Sequence, residues 1–247
     1  MPKENGLKHL AEFQKILKSY KPSTTNLEVL NQIPLLLLVG PTAAGRNTLI
    51  NLLLETGRYH FVVSDTTRRP RENNGVMEKN GREYWFRTEE DFLHGLKDGA
   101  YLEAAVIHGQ QVSGVSMAEL TAAASVDKIP LHELEVVGAA SIHRYKPDSL
   151  IIFMLPPDFE TWMKRLRGRG SMPEAEFKRR LVSAQAEIAT ALQADFYQFV
   201  VNHEIHETAV RVDELARGTR LEGSEQIRGR DHAEQLALEV QAYLNNN

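Results

Sequence analysis

"LLLLVGPTAAGRNTL", Leu35 to Leu49, decides how the rest of the chain is read. Its first half is a continuous apolar run ending at a glycine, the pattern of a central parallel strand buried on both faces. Behind the loop the chain turns helical from about Asn47, with Leu49, Ile50, Leu52, Leu53 and Leu54 on or near the buried side. Strand, glycine loop and helix nearly spell the phosphate-binding pattern G-x-x-x-x-G-K-[ST]. Gly40 and Gly45 let the backbone turn tightly, so that the loop N–H groups, those of Ala43 and Ala44 among them, and the positive end of the helix dipole can converge on an anion. Arg46 stands where the pattern has lysine, and Asn47 where it has a hydroxyl residue. Arg46 keeps the charge on a longer, planar, forked side chain. Asn47 offers an amide oxygen to magnesium, and Thr48 adds a hydroxyl for phosphate.

Composition narrows the setting. The chain has 247 residues, a length that suits one α/β domain with extensions. A hydrophobic share of 42% is enough for a sizeable core. A net charge of −4 gives no argument for a nucleic-acid partner or an anionic membrane. The absence of cysteine excludes disulfides and thiolate metal sites. The N-terminus "MPKENGLKHLAEF" has no signal-peptide core, and the longest aliphatic run, Leu35 to Val39, is far too short to span a bilayer. The expectation is a soluble cytoplasmic protein.

Three parts follow from the patterning. Residues 1–32 form an N-terminal helical extension: Leu7, Leu10, Phe13, Ile16 and Leu17 recur at helical spacing, and after "KPSTTN" a short second helix starts with Thr25 or Asn26 as N-cap. Residues 33–212 alternate strands with helices. Strands are expected at Tyr59–Ser64, "REYWF", the hairpin "AYLEAAVIHGQQVSG", "KIPLHELE", "SLIIFMLPP" and "FYQFVVN". Helices are expected between Thr88 and Gly99, over "MAELTAAASVD" and "VGAASIHRY", from Phe159 to Arg167, from Glu174 to Leu192 and over "HETAVRVDELAR". That alternation predicts an α/β fold with a parallel sheet wrapped by helices. Residues 213–247 are a C-terminal helical extension, loop-like over "GTRLEGSEQIRGRD" and helical afterwards, with Leu236, Val240 and Leu244 on one face. The two extensions also offer surface for a homodimer.

"SDTTRRPRENNGVMEKNGREYWF" carries the second chemical signal. Arg68 and Arg71, beside the Tyr84 hydroxyl, suit a clamp on one phosphate dianion, because guanidinium forms bidentate bonds to such groups. Ser64, Thr66, Thr67, Arg68, Pro70, Arg71, Gly81, Tyr84 and Phe86 together resemble the S-x-TTR-x-PR…G…Y-x-F segment of the guanylate kinase family, with about four extra residues in the turn. "YLEAAVIHGQ", "HELEVVGA", "RLRGRGSMPEAEFKRRL" and "VVN" extend the resemblance over roughly residues 33–212.

The resemblance implies a P-loop NTPase fold, a three-layer parallel sheet with a small acceptor-binding subdomain at about 66–116 and a helical lid at about 160–190. It implies ATP-dependent, magnesium-assisted phosphorylation of a nucleoside monophosphate, GMP or dGMP to the diphosphate. Gly40, Ala43, Ala44, Gly45, Arg46, Asn47 and Thr48 would hold ATP, with Asn202 near the adenine. Ser64, Arg68, Arg71 and Tyr84 would hold the acceptor phosphate. Glu103 and Glu135 would read the base, and Glu133 would lie near the metal's waters, each of the latter two replacing an aspartate. Arg165, Arg169 and Arg180 fall on the lid positions that stabilise the transferring group, with Arg46 on the donor side.

The chain departs from the family pattern at two places. One is Arg46–Asn47. The other is "GQQVSGVS", where the family has N-x-Y-G-[ST]. There Val112 or Ser113 replaces the tyrosine, Gly114 or Val115 replaces the hydroxyl residue, and Ser113 or Ser116 can recover one contact. Two readings therefore stay open: an enzyme with a co-adapted donor loop, or a nucleotide- or protein-binding module without catalysis.

Overall fold

The apolar run does form a central strand, with Leu36, Leu37, Leu38 and Val39 fully buried. The computed structural model describes residues 6–73, 75–168 and 172–246. Two short helices, α1 (Leu10–Leu17) and α2 (Thr24–Leu30), precede β1 (Leu36–Val39). Then come α3 (Arg46–Glu55), β2 (Tyr59–Phe61), β3 (Asp65–Thr66), β4 (Glu72–Asn73) and β5 (Val76–Met77). They are followed by β6 (Trp85–Phe86), α4 (Glu89–Lys97), β7 (Tyr101–Ile107), β8 (Gln111–Ser116) and α5 (Met117–Ala124). The remainder alternates β9 (Ile129–Glu133), α6 (Val136–His143), β10 (Leu150–Leu155), α7 (Phe159–Arg167) and α8 (Glu174–Leu192). It ends with β11 (Tyr197–Val201), α9 (Ile205–Ala216) and α10 (Gly223–Asn246). No described helix is long and apolar enough to cross a membrane.

The chain divides into two compact units. One holds residues 35–59, 131–143 and 147–247. Its sheet runs β11-β10-β1-β9, with β2 at the edge. β1 pairs in parallel with β10 and β9, Leu36 standing opposite Leu150 and Leu131, and β10 pairs in parallel with β11. Parallel neighbours need long crossovers, which the helices supply. The fold is α/β of P-loop type. A single buried carboxylate fastens the turn after α3 to α9: Asp213 accepts from the Arg58 fork at 3.0 and 2.9 Å and from the Tyr59 hydroxyl at 2.8 Å.

The other unit holds residues 1–34, 60–130 and 144–146. Its sheet runs β6-β3-β8-β7, with β3 parallel to β6 and antiparallel to β8. The N-terminal extension belongs to this unit's core. Phe13 is fully buried and meets Phe92 edge-on at 6.1 Å, while Tyr101 stacks on Phe92 at 4.3 Å. The Tyr20 hydroxyl accepts from the Tyr101 N–H at 2.8 Å and donates to its carbonyl at 2.6 Å, satisfying backbone groups of edge strand β7.

Three expectations need correction. The second helix is capped by Ser23, extended at ψ 152°, whose hydroxyl accepts from Asn26 N–H; Thr25 and Asn26 lie inside the helix. The strand expected at Tyr59–Ser64 ends at Phe61. The last helix begins at Gly223, so nine of the fourteen residues read as loop, 223–231, are helical. Tertiary partners decide that: the Gln226 amide donates to the Tyr197 carbonyl at 2.7 Å and the Arg230 guanidinium to the Leu192 and Ala194 carbonyls, bonds that local propensity cannot reveal.

β1 delivers the chain into the loop at Gly40, whose φ is +133° and where any Cβ would strike the Met154 carbonyl oxygen of β10. A side chain here carries backbone strain of about 1–3 kcal/mol on top of the collision. Gly40→Ala is expected to lower unfolding free energy by at least about 2 kcal/mol, read as a drop in the denaturant midpoint.

Candidate functional site

The residues expected to hold the donor lie in the unit built on the parallel sheet. Gly45, at φ +107°, begins α3 without any side-chain cap. The first-turn N–H groups of that helix therefore lack the usual side-chain acceptor and suit an anion. Ala43 holds φ +69°, a left-handed conformation that costs a residue with a Cβ about 1–2 kcal/mol. The loop is held in that shape from behind. Asn202, 3% exposed, donates from its amide to the Ala44 carbonyl at 2.9 Å and accepts at Oδ1 from the Thr208 hydroxyl at 3.2 Å. The Trp162 indole of α7 donates to the Thr42 carbonyl at 2.8 Å. A cavity of about 460 Å³ opens beside the loop, lined by Ala43, Gly45, Thr48, Arg165, Gly168 and Asn202. That volume is in the range of small-molecule sites.

Arg46 points into a carboxylate. Its guanidinium pairs with Glu133 at 3.0 Å, both side chains largely shielded at 17% and 26% exposure. Burial lifts the Glu187 carboxyl to about 7, with the nearby Arg46 pulling it down and Glu135 pushing it up. Arg46 thus pairs with Glu133 and lies near enough to Glu187 to favour its charged form. Asn47 and Thr48 are exposed at the start of α3. Among the described residues no set of three or more His, Cys, Asp or Glu side chains forms a metal cage. A magnesium ion held by one or two protein oxygens and by substrate phosphates needs no such cage, and Asn47 and Glu133 are hard oxygen donors of the right kind.

Ser64, Arg68, Arg71, Tyr84 and Glu103, expected to hold the acceptor, lie in the other unit. Arg68 forks onto Glu78, one bond at 2.9 Å, and stacks over the Tyr84 ring at 4.6 Å. Glu78 also accepts from the Arg71 N–H at 2.9 Å and the Asn73 amide at 3.2 Å. The Arg68 guanidinium foremost, helped by those donors, holds the Glu78 carboxyl down at about 2. The Arg71 side chain is exposed. Ser64 gives its carbonyl to Trp85 N–H at 2.9 Å, fixing the start of the TTR segment. Beneath it buried Asp65 accepts from Arg87 and from the Tyr101 hydroxyl, each at 2.9 Å. Glu103 sits half-buried on β7, opposite Val115 of β8.

The altered "VSGVS" stretch is resolved by its register. Val112 is fully buried, and Ser116 is spent as the N-cap of α5, accepting from Glu119 N–H at 3.3 Å. Ser113 is the remaining hydroxyl; it donates to the Thr66 hydroxyl at 2.9 Å, next to the TTR segment. Of the arginines expected in the lid, Arg165 lines the cavity beside the loop and Arg180 pairs with Glu176 at 2.9 Å, while Arg169 lies outside the described residues. Sequence reasoning missed Glu78, Glu187 and Trp162. None of the three stands in a motif or spacing that marks it.

The chain is similar to known proteins in both sequence and fold. The profile of the family described as guanylate kinase matches residues 32–218. A protein of Corynebacterium diphtheriae named guanylate kinase is 36% identical over 188 residues, covering 75% of this chain and 95% of that protein. A second, from Prochlorococcus marinus, is 35% identical over 186 residues, covering 75% and 97%. Among solved structures, the guanylate kinase of Anaplasma phagocytophilum superposes with a TM-score of 0.54 at 26% identity, over 77% of this chain and 88% of that one.

The Arg68–Glu78 pair makes a pH prediction. The Glu78 carboxyl is depressed in the fold from 4.5 to about 2, so its contribution is full above 4.5 and is lost as pH falls through about 2. Glu78→Gln is expected to be less stable than the parent by about 2 kcal/mol at pH 7. In thermal unfolding that gap closes between pH 4.5 and about 2.

Proposed function

The chain belongs to the guanylate kinase family, and from that premise we propose that it transfers the γ-phosphoryl group of ATP to GMP or dGMP. The observation that carries the reading is the uncapped start of α3 beside the cavity that Arg165 lines, a site for an anion with a cation over it. The other sequence reading, a binding module without catalysis, is not favoured: identity of 36% runs over 95% of a relative named as the kinase.

Phosphoryl transfer asks a protein for in-line positioning and charge compensation more than for covalent chemistry. The loop N–H groups from Gly40 to Thr48, with Arg46, take the donor phosphate oxygens. For this Arg46 turns part of its five-donor fork from Glu133 to phosphate. Asn202 keeps the loop shaped for the nucleotide and lies at its adenine end. Asn47 would hold a magnesium ion directly and Glu133 through water, and the ion would supply charge neutralisation at the donor phosphates.

Ser64, Arg68, Arg71 and Tyr84 take the acceptor phosphate. Here too a cation exchanges a carboxylate for the substrate, Arg68 leaving Glu78. Glu103 and Glu135 accept from the N1–H and amino donors of guanine, and Ser113 offers the hydroxyl left in the altered stretch. Arg165, Arg169 and Arg180 compensate the charge of the transferring group, where losing one such donor costs about 10²–10³ in rate.

We place the reaction in the cytoplasm, which the cysteine-free composition supports. A homodimer through the extensions would use what they leave exposed, such as Ile227 at 61% and Leu238 at 65%, because Phe13, Leu236 and Val240 are buried within the chain.

A coupled assay with ATP, magnesium and each nucleoside monophosphate tests the function. Turnover with GMP and dGMP, well above that with AMP, CMP or UMP, is expected. Absence of turnover with all of them at high enzyme concentration overturns the reading.

A further inference from the structure

We infer that Tyr243, near the end of α10, is a positioning residue for phosphoryl transfer, acting through the two lid helices. The inference rests on the kinase reading and goes beyond the matched family span, which ends at residue 218.

The first half of α10 is fixed to the parallel-sheet unit. Gln226 bonds the β11 backbone at the Tyr197 carbonyl and, at 3.4 Å, the Phe199 N–H. Gly229 lets the helix approach so closely that a Cβ there would lie 2.6 Å from the Phe199 carbonyl oxygen. Arg230 donates to the Leu192 and Ala194 carbonyls at the end of α8. His232 Nε2 lies 2.9 Å from the Pro156 carbonyl, at the entry to α7. Ala233, Leu236 and Val240 are buried along the same helix.

Anchored this way, α10 carries Tyr243 to the lid. Its ring meets Phe159, the first residue of α7, at 6.1 Å and Phe177, in the first turn of α8, at 6.2 Å. Its hydroxyl accepts from Arg167 in the last turn of α7 at 2.8 Å, and Arg167 in turn stacks on Phe177 at 4.0 Å. One side chain thus ties both ends of α7 to the start of α8. Arg165 lies two positions before Arg167, and Arg180 lies three after Phe177, on the same helix face. Tyr243 meets the two helices that carry these arginines and so sets their positions. Misplacing a charge-compensating group by about 1 Å costs on the order of 100-fold in rate, and aromatic contacts of this kind are what hold such spacing.

Steady-state kinetics on the full chain test this, each variant read as a ratio to the parent, so that an inactive parent signals failure of the kinase reading alone. Tyr243→Ala is expected to lower kcat about tenfold with KM for GMP within twofold, because the acceptor phosphate residues lie in the other unit. Tyr243→Phe keeps the rings and is expected to restore kcat to within threefold of the parent. A kcat for Tyr243→Ala within twofold of the parent overturns the inference, as does an equal loss in Tyr243→Phe and Tyr243→Ala. If Tyr243→Ala does not fold, Arg167→Leu replaces it: a several-fold lower kcat at unchanged GMP KM supports the inference, and parental kcat overturns it.

Discussion

Before any nucleotide arrives, the cation of the glycine loop has to be held somewhere, and the Arg46–Glu133 pair at 3.0 Å is where this chain holds it. An unpaired, shielded guanidinium would be costly. Glu133 is the last residue of β9, which pairs with β1, and Arg46 is the first residue of α3. The pair therefore joins the end of one strand to the helix that follows its neighbour, across the loop. The loop's other constraints serve the same geometry: Gly40 against β10, the left-handed Ala43, Asn202 behind Ala44 and Trp162 on Thr42.

The same arginine–carboxylate pairing recurs at two other arginines proposed to meet phosphate. Arg68 rests on Glu78 and Arg180 on Glu176, as Arg46 does on Glu133. A carboxylate is a fair stand-in for a phosphate oxygen pair, so these arginines are kept extended and oriented in the absence of substrate. The exchange is selective, since a dianion of correct shape gains more from a planar fork than a single carboxylate does. Arginine in the loop, where lysine is usual, fits this pattern: its five donors can serve a carboxylate and a phosphate together, which three donors on one ammonium serve less well.

Much of this was legible in the sequence where local chemistry decides the outcome. α7 and α8 fall at the residues expected, because Asp158 caps Thr161 and a proline precedes Glu174. Thr88 and Gly99 bracket α4 as read. β1 followed from its uninterrupted aliphatic run. What stayed hidden depends on contacts distant in sequence. The early start of α10 rests on bonds to β11 and α8, and Ser23 outcompetes Thr25 as a cap because the chain is extended there. Glu78 is brought to Arg68 beyond an antiparallel pair, β4 and β5, in the inserted turn. No periodicity signals a partner chosen by three-dimensional packing.

The central claim is that Arg46 and Glu133 are a working, co-adapted pair. The most direct measurement is kcat/KM for ATP in Arg46→Lys, with GMP saturating. Co-adaptation predicts a fall of about tenfold, roughly 1.4 kcal/mol of transition-state stabilisation. An Arg46→Lys variant as active as the parent, or more active, would contradict it and mark the arginine as a decayed lysine.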